Sequence, residues 1–226
     1  MITTAIAIDG PAVAGKSTIA KRLASKIGYI YVDTGALYRT IAHGILKNGI
    51  SPDETNRVID FLKEIKVDIT YVGAEQRVLL NGEDVSDYIR TPAVSEAASK
   101  TSTIPEVREY LLGLQRRLAE ENNVVMDGRD IATVVLPFAK VKIFLTASDE
   151  IRAKRRYDEL IAKGENVLFD DVLADLKKRD YRDMHREIAP LKPSEDSIIV
   201  DTSNLDFEQS VAAMEAVINQ ALNKNR

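Results

Sequence analysis

The segment Gly10-Pro-Ala-Val-Ala-Gly15-Lys16-Ser17 narrows the folds open to this chain to those in which a strand runs into a helix through an anion cradle. An apolar run, Thr4-Ala-Ile-Ala-Ile8-Asp9, precedes it, and Thr18 to Ile27 follows with helical periodicity. In that context the spacing GxxxxGK[ST] reads as a phosphate-binding loop. The glycines let the backbone of Gly10, Pro11, Ala12, Val13, Ala14 and Gly15 curl so that its N–H groups point inward at phosphate. Lys16 adds a point charge on the outer phosphates, and the Ser17 hydroxyl is placed for Mg²⁺. The helix opening near Ser17 turns its positive dipole end to the same anion.

The rest of the chain alternates short apolar strands with helical patterns. Tyr29–Val32, Asn123–Met126, Val141–Leu145 and Ser197–Val200 read as strands, with helices after each. Together with the first strand this predicts an α/β fold, a doubly wound five-stranded parallel sheet with helices on both faces. Ligands of such sheets lie beyond the carboxyl ends of the strands, where Asp9-Gly10, Asp33-Thr34-Gly35 and Asp127-Gly-Arg-Asp130 fall. Between Lys66 and Leu80 the period changes to alternation, with turn residues at Gly73-Ala-Glu and Asn81-Gly82. That is hairpin grammar and predicts a small antiparallel β insertion over 65–91. The 226 residues are expected to form one domain, with a core of 1–64, 92–148 and 188–226 and a charged helical lid over 149–187, broken at Gly164.

Composition excludes several classes. The formal net charge is −4, so no global basic field draws nucleic acid, and anions must be held by local arginines. There is no cysteine, hence no disulfide framework or thiolate metal site. No apolar run approaches the length of a membrane span, and the short apolar start does not read as a signal peptide. We expect a cytoplasmic protein, a monomer, with no membrane or nucleic-acid partner. His43 and His185 lack a third ligand at sensible spacing and read as surface or packing residues.

Two arginine stripes stand out. Arg152, Arg155 and Arg156 fall within an arc of about 100° on a helix, and Arg179, Asp183 and Arg186 within about 60°. The planar guanidinium fork suits phosphoryl oxygens, two at a time. Asp33-Thr34-Gly-Ala-Leu-Tyr-Arg39 and Asp127-Gly-Arg129-Asp130 put carboxylates and arginines at strand ends. Each alone fits a capped helix start with solvated charges equally well.

Taken together, Gly10–Ser17, Asp33–Arg39, Asp127-Gly-Arg-Asp-Ile-Ala-Thr-Val-Val135, Val141–Leu145 and Arg179-Asp-Tyr-Arg-Asp-Met-His-Arg186 closely resemble the bacterial cytidylate kinases, P-loop NTPases of the nucleoside monophosphate kinase type. The likeness runs nearly end to end and includes the hairpin insertion. It implies ATP and CMP or dCMP as substrates, with Mg²⁺. It also implies that Arg39 and Arg129 grip the CMP phosphate, that Ser99, Arg108 and Asp130 read cytosine, and that Thr34 lies on the CMP side. Arg179 and Asp183 would face the sugar or phosphate, and Arg186 the phosphates. Arg152, Arg155 and Arg156 would lie in a lid over ATP, and Lys16, Arg129, Arg155 and Arg186 would carry catalysis. The loop ends Lys-Ser-Thr where many relatives carry Lys-Gly-Thr, so the hydroxyl on the Mg²⁺ side is that of Ser17 or Thr18, with Asp127 behind it through water. Cytosine's exocyclic amine can be accepted by a hydroxyl and a carboxylate while a guanidinium donates to N3 or O2, a pattern that uracil does not match. Two readings stay open beside this one: a kinase for another nucleoside monophosphate or small acceptor, and a regulatory nucleotide-binding module.

Overall fold

The structure, a computed structural model, describes residues 3–223. Five parallel strands make the central sheet: β1 (Ala5–Asp9), β2 (Ile30–Asp33), β6 (Val124–Gly128), β7 (Val141–Thr146) and β8 (Ile198–Asp201), in the order β2-β6-β1-β7-β8. Successive residues of β1 face opposite ways, as the two-residue period requires. Ile6 and Ile8 pack with Ile19 and Leu23 of α1 (Lys16–Ile27) and with Met214 of α8 (Phe207–Asn223). Ala5 and Ala7 pack on the other face with Val32, Met126, Ile131 and Leu136. Covered on both faces, the strands can be apolar throughout, which is why β1 shows no hydrophobic alternation.

A second body of packing adjoins the sheet. It joins α2 (Thr34–Lys47), α3 (Thr55–Glu64), α4 (Pro92–Thr101) and α5 (Pro105–Glu121) to an antiparallel three-stranded sheet, β3 (Val67–Val72), β4 (Glu75–Leu80) and β5 (Glu83–Asp84). Leu37, Ile41 and Ile45 of α2 form its spine, against Phe61, Val78, Leu80 and Leu111. The helix starts follow local chemistry. The Asp33 carboxylate accepts from Ala36 N, the Thr91 hydroxyl from Val94 N ahead of Pro92, and the Ser148 hydroxyl from Ile151 N. Helix α3 begins at Thr55, because Ser51 to Glu54 closes a turn of its own. In it the Glu54 carboxylate accepts from Ser51 N and the Ser51 carbonyl from Glu54 N.

The charged region forms two packed helices, α6 (Asp149–Ala162) and α7 (Phe169–His185), with Gly164 in a left-handed conformation between them. One element has no counterpart in the sequence reading. Ile131–Val135 winds as a single π-helical turn directly after β6. Such turns gather at functional sites. This one is anchored by the buried Asp9 carboxylate, which accepts from Ile131 N at 2.7 Å and Ala132 N at 2.8 Å.

Candidate active site

The loop after β1 is held by close approach and by strain. A Cβ at Gly10 would lie 2.0 Å from the Leu145 carbonyl oxygen of β7, so only glycine lets the loop lie against that strand. Gly15 (φ 88°) and Val13 (φ 60°) both take left-handed backbone, a strained choice for a β-branched residue that marks a shape imposed by use. Lys16 is buried under the loop, its Nζ donating to the Pro11 carbonyl at 2.7 Å. Burial, and then the charge of Arg129, push its ammonium down to about 7. Ser17 Oγ donates to one oxygen of Asp127 at 3.0 Å, and the Tyr31 hydroxyl donates to the other at 2.7 Å. Burial and the neighbouring Asp33 push the Asp127 carboxyl up to about 6. Ser17 and Thr18 both line the cleft.

Facing the loop across a cleft of about 600 Å³ stands a group of arginines. Arg39 pairs with Asp33 at 2.8 Å, and Arg129 Nε with Asp183 at 2.9 Å. Arg186 Nε donates to the Ala189 carbonyl. Yet Arg39 Nε, Arg179 Nε and one terminal nitrogen of Arg186 are buried without a hydrogen-bond partner, the last lying 3.6 Å from the Asp130 carboxylate. Burial, and then Arg129, push the Arg179 guanidinium down to about 10. Burial works to raise the Asp183 carboxyl, but Arg129 and Arg179 hold it below its ordinary value. Unpaired buried donors are costly, and these four cations repel one another, so the arrangement makes sense around a polyanion.

On the far side of the arginines, Ser99 is buried with its hydroxyl unpartnered, and Arg108 forms a close ion pair with Asp130. The Arg108 guanidinium lies 5.9 Å over the Tyr38 ring. Thr34 Oγ1 donates to the Asp127 carbonyl, which ties the start of α2 to the end of β6. Thr34, Tyr38, Ser99, Arg108 and Asp130 border the same cleft as Ala12 to Thr18 and the arginines, whereas Gly10, Pro11 and Tyr31 lie behind its lining and shape it from there.

The family model described as cytidylate kinase matches residues 6–220. The cytidylate kinase of Caldicellulosiruptor bescii is 52% identical over 90% of this chain and 90% of its own length. That of Caldanaerobacter subterraneus subsp. tengcongensis is 50% identical over 99% of this chain and 96% of its own. This chain belongs to the cytidylate kinase family. Its fold is also like that of a shikimate kinase from Bacteroides thetaiotaomicron, with a TM-score of 0.50 at 15% identity, covering 96% of this chain and 98% of that one.

Against the cytidylate kinase reading, one expectation needs correction. Arg152, expected with Arg155 and Arg156 over ATP, does not face the cleft. Its guanidinium is buried and donates to the Ala147 and Ala12 carbonyls and to Asp149 and Asp180. Desolvation explains the difference. A cation on the inner side of α6 needs fixed partners, and the loop backbone supplies one of them. Arg155 and Arg156 do border the cleft, Arg155 donating to the Thr202 carbonyl at 3.0 Å and Arg156 to Glu159 at 2.8 Å.

Several residues escaped the sequence reading. Asp180 is buried, pairs with Arg152 and accepts from Ala12 N at 3.4 Å, which fastens α7 to the phosphate loop. In the sequence it is one more acid in a charged helix. Arg90 reaches Asp33 at 3.1 Å from the end of the insertion. Tyr31 was legible in principle, since a hydroxyl carried on an otherwise apolar buried strand needs a partner.

Proposed function

We propose that this protein transfers the γ-phosphoryl group of Mg–ATP to the phosphate of CMP or dCMP, giving ADP and CDP or dCDP. The observation that carries this reading is the set of buried guanidinium nitrogens of Arg39, Arg179 and Arg186 that make no hydrogen bond, set across one cleft from the Lys16 loop. A single bound nucleotide needs the loop alone. Two facing cationic surfaces fit two phosphate groups brought together.

The loop and Lys16 hold the donor phosphates, with Arg155 and Arg156 at the outer side of the cleft. Arg39 and Arg129 hold the acceptor phosphate, and Arg179 and Arg186 neutralise charge between the two. The acceptor phosphate, with a second pKa of about 6, is largely deprotonated at neutral pH and needs no general base. Catalysis is therefore in-line positioning plus stabilisation of charge spread over the phosphoryl oxygens. The site's donors suit Mg²⁺, because a hydroxyl and a carboxylate are hard oxygen ligands and leave the remaining positions to phosphate and water. Ser17, or its neighbour Thr18, with Asp127 behind it would hold the ion, which when bound neutralises donor-phosphate charge. Ser99, Asp130 and Arg108 read the cytosine edge. α6 and α7 act as the lid that excludes water, the rival acceptor. We place the reaction in the cytoplasm, carried out by a monomer. Among the described residues no helix is long and apolar enough to cross a membrane.

An acceptor panel tests the reading. With Mg–ATP as donor and ADP release as the signal, CMP and dCMP should be turned over far faster than UMP, AMP or GMP. Equal turnover of UMP would remove Ser99, Arg108 and Asp130 from base reading. ATP hydrolysis indifferent to every monophosphate would favour a regulatory module instead.

A further inference from the structure

β2 lies at the edge of the central sheet and pairs only with β6. In a parallel strand, the N–H and C=O of one residue point to the same side and those of the next residue to the other. Ile30 N donates toward the β6 side, to the Asn123 carbonyl at 3.0 Å. Tyr31 and Asp33 therefore turn main-chain polar groups outward, where the central sheet has no further strand. The antiparallel insertion meets that need with side chains. Gln76 of β4 accepts from Asp33 N at 2.8 Å through Oε1 and donates to Asp33 O at 3.2 Å through Nε2. The Tyr71 hydroxyl of β3 donates to Tyr31 O at 3.0 Å. A glutamine amide is chemically a peptide group, and here it occupies the place of one residue of an absent neighbouring strand.

The residue so held is the one on which Arg39 rests. The Asp33 carboxylate caps α2 through Ala36 N and binds Arg39 at 2.8 Å and Arg90 at 3.1 Å. Burial works to raise its pKa, but these two arginines hold it below the ordinary value. Gln76 itself does not border the cleft. We propose that Gln76, seconded by Tyr71, is a positioning residue for the acceptor site: the antiparallel insertion sets the place of Arg39 by clamping the main chain of Asp33. The inference rests on Arg39 serving the acceptor phosphate, as read above.

The test uses the full chain with Gln76→Leu, Gln76→Glu and Tyr71→Phe. Steady-state kinetics are run for CMP and ATP, and the exchange of the Asp33 amide hydrogen is followed by NMR. Gln76→Leu should raise KM for CMP about fivefold or more, the scale of one lost hydrogen bond, and leave KM for ATP within about twofold. The Asp33 amide should exchange at least about tenfold faster. Gln76→Glu keeps the acceptor for Asp33 N but faces Asp33 O with a second acceptor, so it should fall between wild type and Gln76→Leu. If Gln76→Leu does not fold, Gln76→Glu and Tyr71→Phe carry the same test. An unchanged KM for CMP beside faster Asp33 exchange would make the clamp purely structural and overturn the proposal. So would equal rises in both KM values, or Asp33 exchange that does not change. A wild-type protein inactive on CMP would instead overturn the functional reading, and the Asp33 exchange would still report whether the clamp exists.

Discussion

At the scale of single residues, Lys16 and Arg129 make the sharpest demands. The Lys16 ammonium, pushed down to about 7, is mostly neutral at pH 8, and a polyphosphate beside it favours the charged form. Binding of ATP at pH 8 should therefore draw in a proton. Calorimetry in buffers of different ionisation enthalpy measures this directly, and Lys16→Met should abolish it while lowering turnover by about two orders of magnitude or more. Arg129 pairs with Asp183 and borders the cleft. Arg129→Ala should raise KM for CMP at least about tenfold, with a much smaller effect on KM for ATP. A matched rise in both would move Arg129 off the acceptor side.

At the scale of elements, the joint between the phosphate loop and the α6–α7 pair decides how far that pair can move independently of the loop. Arg152 of α6 and Asp180 of α7 meet each other and both reach the main chain of Ala12, Arg152 donating to its carbonyl and Asp180 accepting from its N–H. Removing one partner leaves a buried charge uncompensated, so Arg152→Met should lower stability by roughly 3–5 kcal/mol. The double variant Arg152→Met/Asp180→Asn should recover part of that loss in denaturant titration. The sequence carried the elements themselves well. Strand–loop–helix spacing located the phosphate loop, the switch to alternation at Lys66 located the insertion, and the break at Gly164 separated α6 from α7. What it did not carry is the inward or outward turn of each charge. Arg152 and Arg155 sit three residues apart in one charged helix, yet one is buried against the loop and the other borders the cleft. Helical spacing gives a shared face but not the depth of the groove into which that face packs. The π-helical turn was illegible for a similar reason, since its cause is Asp9, more than a hundred residues away in sequence.

For the whole molecule, the cleft stores charge in a way that pH and ligands should expose. Asp9 and Asp127 are each pushed up to about 6, chiefly by burial, from an ordinary 3.8. A folded-state pKa above the unfolded one means that the folded protein holds more protons between those values. Stability from these two groups is therefore greatest at low pH and falls as pH rises from about 4 through 6. Asp127→Asn removes one of the two, so its stability relative to wild type should improve between pH 4.5 and 7 by roughly 1–3 kcal/mol, read by thermal melts at each pH. Asp33 and Asp183, held below their ordinary values, act oppositely and lose their contribution as pH falls through their folded values. Ligands that answer the repulsion should stabilise strongly: CMP at a hundred times its Kd is expected to raise Tm by about 5–10 °C.

The outward margin of β2 has a consequence for the protein in a crowded solution. Exposed strand margins invite foreign strands to add on, the first step toward sheet-like aggregates. Here one flank is already taken by Gln76 and Tyr71, and the other is β8, only four residues long. Stacking of one copy on another through the central sheet is left with that short stub, where Ile198 and Ile199 lie open to water.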